Sequence, residues 1–214
     1  MFEYWKNQHS ARGFVPGGMF VKDDLIYVPI PKNSSSYIGQ MLLKNAWGVG
    51  NFLTTDLSKK KIIVLLRNPT DRWLSGMAQY MCSTLLKNGR TSSDIINNWN
   101  VVIRDLIFDQ VIFDDHTEKQ VYFINSVPRE NCVFFDSAKQ PEQAIKNYLA
   151  SQGIDLNTDV NLDRNQTQGN DHKEILVNFL RSRIIENPNL ANKLTNTYQE
   201  DYTLWNATIL PASN

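Results

Sequence analysis

Lys61-Ile62-Ile63-Val64-Leu65-Leu66-Arg67-Asn68-Pro69-Thr70-Asp71-Arg72-Trp73-Leu74-Ser75 reads as a strand that turns at once into a helix. Ile62 to Leu66 is an uninterrupted apolar run, the pattern of a strand buried on both faces in a parallel sheet. Helix onset rests on three residues: Asn68 can cap, Pro69 suits the first helical position, and Asp71 adds negative charge to the first turn. Upstream, Leu25-Ile26-Tyr27-Val28-Pro29-Ile30-Pro31-Lys32-Asn33-Ser34-Ser35-Ser36 repeats the logic. An apolar strand runs into a lysine and a hydroxyl cluster, then into a helix-like stretch from Tyr37 to Trp47. Both segments put cationic and hydroxyl side chains at the carboxyl end of a strand, beside the free N–H groups of a helix start. That is where α/β sheets bind phosphate. Two such sites on adjacent strands imply a ligand with two separated anionic groups.

Working outward, residues 1–24, with Arg12-Gly13 and Pro16-Gly17-Gly18, read as an irregular arm. Ser34 to Ser36 offer N-cap chemistry for a helix whose Ile38, Met41, Leu42 and Leu43 face a core, and Gly48, Gly50 and Asn51 end it. Trp73, Met77 and Tyr80 share a face of the helix after Asn68, a spacing typical of core. Ser92, Ser93 and Asp94 open another helix, with Ile95, Ile96, Trp99, Val102, Ile103 and Leu106 inward. Val121 to Ile124 fits either helix or strand. Cys132 to Phe135 reads as a third core strand with Asp136 at its carboxyl end, and Pro141 to Gln152 as the helix after it. Beyond an Asn- and Asp-rich loop from Asn157 to Asn170, helices are expected over about His172–Glu186 and Pro188–Trp205. The alternation predicts a single domain over residues 1–214, an α/β three-layer sandwich around a mainly parallel sheet.

Lysine plus arginine equals aspartate plus glutamate at 22 each, so the formal net charge is zero. A general nucleic-acid or polyanion binder would carry a basic excess. Anion binding must therefore come from locally placed cations. The two cysteines, Cys82 and Cys132, are too few for a disulfide framework and lack metal-ligand spacing; both are expected to be reduced. The first residues hold no apolar run resembling a signal peptide, and no stretch approaches membrane-spanning length, which predicts a soluble, cytoplasmic protein without membrane partners.

The paired segments resemble the sulfotransferase family, whose donor is 3′-phosphoadenosine 5′-phosphosulfate (PAPS) and whose nucleotide product is 3′-phosphoadenosine 5′-phosphate (PAP). In that family a Pro-Lys-x-Gly-[Ser/Thr]-[Ser/Thr] loop holds the 5′-phosphosulfate, and an Arg-[Asp/Asn]-Pro-x-x-Arg-x-x-Ser segment holds the 3′-phosphate. Arg67, Asn68, Pro69, Arg72 and Ser75 match the second, and Pro31 to Ser36 match the first except that Ser34 stands where glycine is usual. Thr197-Tyr198-Gln199-Glu200-Asp201-Tyr202-Thr203-Leu204-Trp205 is similar to the closing helix of the carbohydrate-modifying branch. The absence of a signal peptide or anchor brings the chain nearer to soluble bacterial or viral relatives. The resemblance implies a P-loop nucleotide-kinase-like fold and sulfuryl transfer to a hydroxyl of a carbohydrate-like or small-molecule acceptor. It implies Lys32, Asn33, Ser34, Ser35, Ser36, Arg67 and Ser75 as the cofactor-binding set. Two alternatives stay open: a PAP-binding protein that has lost turnover, and a small-molecule kinase. The kinase is disfavoured because no Gly-x-x-x-x-Gly-Lys-[Ser/Thr] occurs.

Charge builds on the departing phosphate oxygen during such a transfer, so positioning and electrostatic stabilisation would carry the catalysis. Lys32 is the expected catalytic cation, and Arg67 supplies a planar donor that suits phosphate. Arg72 shares a helical face with Ser75 and reads as a structural partner. For the acceptor's proton, residues 48–60 contain no histidine or glutamate; Asp56 would serve if burial raised its pKa. The other candidate is His116, in Asp114-Asp115-His116-Thr117-Glu118-Lys119-Gln120, which resembles a His-x-x-x-Gln element near the acceptor cleft. Imidazole has a suitable pKa, and Asp115 or Glu118 could orient it. His9 and His172 have no carboxylate at metal-ligand spacing, so no metal is expected. Asn161, Arg164, Asn165 and Lys173 fall where relatives have a loop over the nucleotide, and a solvated loop is the plainer reading of them.

Overall fold

A computed structural model describes residues 18–52, 54–84, 91–100, 110–157 and 171–209. His9, Val102, Ile103, Leu106, Asn161, Arg164 and Asn165 lie outside the described residues, as do residues 1–17 of the expected arm. The strands are β1 (Gly18–Lys22), β2 (Leu25–Val28), β3 (Gly48–Asn51), β4 (Lys61–Leu66) and β5 (Cys132–Asp136). The helices are α1 (Ser35–Lys44), α2 (Pro69–Thr84), α3 (Ser92–Asn97), α4 (Gln120–Phe123), α5 (Pro141–Ser151), α6 (Asp171–Glu186), α7 (Pro188–Thr197) and α8 (Gln199–Thr208). The chain falls into two compact units. One comprises Met1–Arg67, Gln120–Arg164 and Asn206–Asn214; the other comprises Asn68–Lys119 and Asn165–Trp205.

The first unit holds a five-stranded sheet in the order β3-β1-β2-β4-β5. β2 and β4 run parallel with Ile26 opposite Ile62, and β4 and β5 run parallel with Ile63 opposite Val133. β1 pairs antiparallel with both β2 and β3. The sheet is therefore mixed, not mainly parallel. The two strands that make it so were illegible for a physical reason: β1 begins at the last glycine of the Pro16-Gly17-Gly18 run, and β3 is Gly-Val-Gly-Asn, which reads as a helix terminator. Asp23, left-handed at φ 51°, turns β1 into β2. Lys60 Nζ ties that turn to the start of β4, donating to Asp23 O at 2.8 Å and Asp24 Oδ1 at 2.9 Å.

The expected burial of β4 on both faces holds, since Ile62 to Leu66 are all at most 1% exposed. Ile63 and Leu65 join Leu25 and Tyr27 of β2 in a core with Ile38, Met41 and Leu42 of α1 and Ile145 and Leu149 of α5. β5 is an edge strand of half-buried residues rather than a core strand. The second unit is helical. Trp73, Leu74, Met77, Ala78 and Met81 of α2 pack with Ile95, Trp99, Leu176, Leu180, Leu190, Leu194 and Tyr198. The apolar face read on α2 is thus core, and Trp73 Nε1 satisfies its donor on Val111 O at 2.8 Å. Thr91, not the serines after it, caps α3, in a reciprocal box with Asp94. Pro188 starts α7 with Asn187 as its cap, and a break at Tyr198 divides what the sequence presents as one closing helix. No described helix is long and apolar enough to cross a membrane. Neither cysteine is in a disulfide, and burial pushes the Cys132 thiol up to about 11.

Ile63→Ala, which empties a site filled from both α1 and α5, is expected to lower stability by about 2–5 kcal/mol. Val49→Ala, on the exposed edge of β3, is expected to change it by less than about 0.5 kcal/mol. Urea unfolding of the two variants against wild type checks the contrast.

Candidate functional site

In the first unit the loop after β2 meets Arg67 at the end of β4. After β2 the chain makes a tight turn, with Asn33 N donating to Ile30 O at 3.1 Å, and two left-handed residues, Lys32 (φ 70°) and Ser34 (φ 60°), flank Asn33. The position where the resembled motif carries glycine thus takes a glycine-like backbone. Ser34 adopts it at a cost of about 1–2 kcal/mol for a residue with a Cβ. Ser34 occupies the N-cap position of α1, yet its hydroxyl makes no capping bond, so the expected cap is absent. Ser35 is half-buried and Ser36 exposed in the first turn.

Asn33 turns inward and is fully buried. Its Nδ2 donates to Leu65 O of β4 at 2.8 Å and to Gln120 Oε1 at 2.7 Å. Its backbone N–H and both side-chain donors are thereby engaged within the protein, which leaves it a buttress of the loop. Its Oδ1 is buried without a partner, a cost of about 1–3 kcal/mol that the two Nδ2 bonds must outweigh. Gln120, 1% exposed, completes the arrangement. Its Oε1 accepts from Arg67 N at 2.9 Å, and its Nε2 donates to Arg67 O at 2.9 Å. Arg67 in turn donates from Nη1 to Lys32 O at 3.0 Å. Lys32, Asn33, Gln120 and Arg67 form a closed circuit at the carboxyl ends of β2 and β4. Sequence reasoning noticed Gln120 only as the last letter of a motif; nothing in Lys119-Gln120-Val121 signals a buried amide.

Asp56 lies between the signatures, and its placement is the reverse of what a base requires. It is exposed, and the Ser58 N–H donates to its Oδ1 at 2.9 Å. That bond, with further help from the Ser58 side chain, holds its carboxyl below the usual range. The condition that made Asp56 a candidate, a pKa raised by burial, is not met.

In the second unit, Asn68 caps α2 as read, its Oδ1 accepting from Thr70 N at 3.0 Å. Ser75 sits half-buried on α2 between Leu74 and Gly76. Arg72, 1% exposed, donates to the carbonyls of Asp115 (3.0 Å) and Glu118. Burial opposes its charge, and Asp201 is foremost among the groups that favour it. Arg72 thus supports a turn through its carbonyls while nearby acidic groups favour its charge. The turn it holds is fixed from three further directions. Thr117 Oγ1 accepts from Phe113 N at 2.7 Å and Asp114 N at 2.9 Å, Tyr198 Oη donates to Thr117 O, and the His116 carbonyl lies against Gly76.

What the turn presents is His116, whose Nδ1 lies 2.9 Å from Asp114 Oδ2 and 3.1 Å from Asp115 Oδ1. Asp115 was an expected orienter and Asp114 was not. Glu118 turns away to accept from Lys119 N at 2.9 Å. Burial pulls the imidazole pKa down, but the bonds to Asp114 and Asp115 together outweigh it and leave His116 above its ordinary value of 6.5. With Nδ1–H held by carboxylates, Nε2 is the atom that can exchange a proton. The ligand atoms of these three residues lie within 4.8 Å of one another, a proximity their ion pairing accounts for.

Comparison with protein-family models, characterised proteins and solved structures returns no match to this chain.

Asp114→Asn is expected to lower the His116 pKa, read from imidazole proton shifts across a pH titration. Because the folded value lies above 6.5, protonation stabilises the fold fully below about pH 6.5, and the contribution is lost as pH rises through the folded pKa. The variant should lose part of that acid-side stabilisation. Gly76→Ala inverts the usual helix rule. Alanine favours an exposed helix interior by about 1 kcal/mol, but here its Cβ would stand 2.1 Å from His116 O. A lowered unfolding midpoint is expected, and a raised one would refute the close packing.

Proposed function

We propose that this protein is a PAPS-dependent sulfotransferase acting on a hydroxyl of a carbohydrate-like or small-molecule acceptor. The observation that carries the proposal is the Arg67 Nη1 to Lys32 O hydrogen bond, which brings the cations of both signatures to neighbouring strand ends. The first turn of α1, without a side-chain cap, adds N–H groups suited to an anion. In this function Lys32 offsets the charge that develops on the bridging oxygen as the S–O bond to phosphate breaks. Arg67 serves the 3′-phosphate, to which the resemblance alone assigns Ser75, and Ser35, Ser36 and the backbone around Ser34 serve the 5′ group. Asn33 acts only by holding the loop. His116, with Nε2 available, is the base assigned to the acceptor's proton, which passes to nitrogen as the hydroxyl oxygen forms its bond to sulfur. One observation favours a second reading, a PAP-binding protein without turnover: Asp56 is an exposed turn residue with a depressed pKa, so residues 48–60 offer no base.

Calorimetric titration with PAP tests the donor site. Wild type is expected to bind in the micromolar range, and Arg67→Ala and Lys32→Ala to weaken binding at least about tenfold through loss of a charge-assisted bond. Absence of binding by folded wild-type protein, or Arg67→Ala binding as wild type does, overturns the proposal. PAP binding with no sulfated product across an acceptor panel selects the second reading.

A further inference from the structure

We infer that Gln120 is a positioning residue that couples the two anion loops, so that Arg67 and the Lys32 turn present their groups to one ligand as a unit. The inference rests on the donor-site reading above and deepens it. Gln120 is 1% exposed, and its carboxamide bonds to the ends of other segments: to Asn33, 87 positions away, and to the N–H and C=O of Arg67, 53 positions away. A planar carboxamide supplies what this place needs, an acceptor that serves two donors and a donor that serves one acceptor. Glutamate at neutral pH has no donor for Arg67 O, and methionine has neither group. Holding both the N–H and the C=O of Arg67 fixes the peptide planes on either side of its Cα, and hence the direction in which the guanidinium leaves β4. Holding Asn33 Nδ2 fixes the turn between Lys32 and Ser34. The partnerless Asn33 Oδ1 shows which contacts this geometry favours, since Nδ2 faces two acceptors while Oδ1 has no donor.

A merely structural Gln120 would lower stability and leave ligand affinity intact in whatever fraction stays folded. A positioning Gln120 acts through Arg67, and a double-mutant cycle separates the two. PAP is titrated into wild type, Gln120→Met, Arg67→Ala and the double variant, each at a temperature where circular dichroism shows it folded. Gln120→Met is expected to weaken PAP binding about tenfold to a hundredfold, as misplacement of a binding group does. The double variant should bind no more weakly than Arg67→Ala alone. Gln120→Glu gives an independent check that also serves if the methionine variant does not fold. Protonation of the new carboxyl restores a donor, so its deficit against wild type should narrow as pH falls toward 5. Wild-type affinity in Gln120→Met, full additivity in the cycle, or a pH-invariant deficit in Gln120→Glu overturns the inference. Should wild type itself fail to bind PAP, the donor-site reading falls and the coupling is read from amide hydrogen exchange. Loss of Arg67 N–H protection in the Gln120 variants, with Ile63 N–H protection unchanged, supports it; equal Arg67 protection in wild type and variants overturns it.

Discussion

A single buried carboxamide, that of Gln120, sets the geometry on which the first unit's candidate site depends. Strand β4 could exit its sheet in several directions, because pairing with β2 and β5 constrains the backbone only as far as Leu66. By taking both the N–H and the C=O of Arg67, Gln120 continues the pairing one residue further with a side chain in place of a strand. The same oxygen reaches Asn33 and so reaches the turn that starts α1. Backbone groups that would otherwise be buried and unpaired are satisfied without adding a strand. The exits of two parallel strands are held together, and the bond from Arg67 Nη1 to Lys32 O joins them directly.

The second unit solves a related problem with a cation. A buried arginine is costly unless its donors are met and its charge is balanced. Arg72 meets its donors on two carbonyls of one turn, and the charge on Asp201 favours its ionised form. With Thr117 and Tyr198 securing the same backbone, the turn has little freedom left, and it carries a half-buried histidine held between two carboxylates. Rigid support beneath an ionisable group is what an acid–base role would require, and it is equally what a structural ion pair would show. Chemistry at His116 therefore stands as part of the proposal and not of the fold.

Much of the architecture was legible because its signals were local. The apolar run Ile62–Leu66, the Asn68-Pro69 helix start and the α2 face of Trp73 and Met77 each depend on residues within a few positions of one another. The mixed character of the sheet was not legible, because β1 and β3 are short, glycine-containing and lack the alternation that marks a strand. At the candidate site, the cations were readable from their place after strands. The inward turn of the Asn33 side chain was not legible, because only its long-range partners Leu65 and Gln120 draw it in. Gln120 and Gly76 were missed for the same reason. A buried amide and a glycine that admits a neighbouring carbonyl are defined wholly by what approaches them from distant parts of the chain. The lowered pKa of Asp56 follows from a local fact, the Ser58 N–H two residues away, which sequence alone leaves undetermined.

The chain leaves the first unit after Arg67 and returns to it at Gln120, the very pair whose side-chain and backbone groups are bonded to each other. Topologically, Asn68–Lys119 is an excursion with a closed stem. Closing a loop costs entropy that rises only slowly with length, about 0.6 kcal/mol per doubling, so the stem tolerates a long excursion thermodynamically. Kinetically it is a contact of high sequence separation, the kind that slows folding. The loop-closure entropy of Asn68–Lys119 is the cost Gln120 must meet to add its bonds to those that join the strand exits directly, Arg67 Nη1 to Lys32 O and Asn33 Nδ2 to Leu65 O.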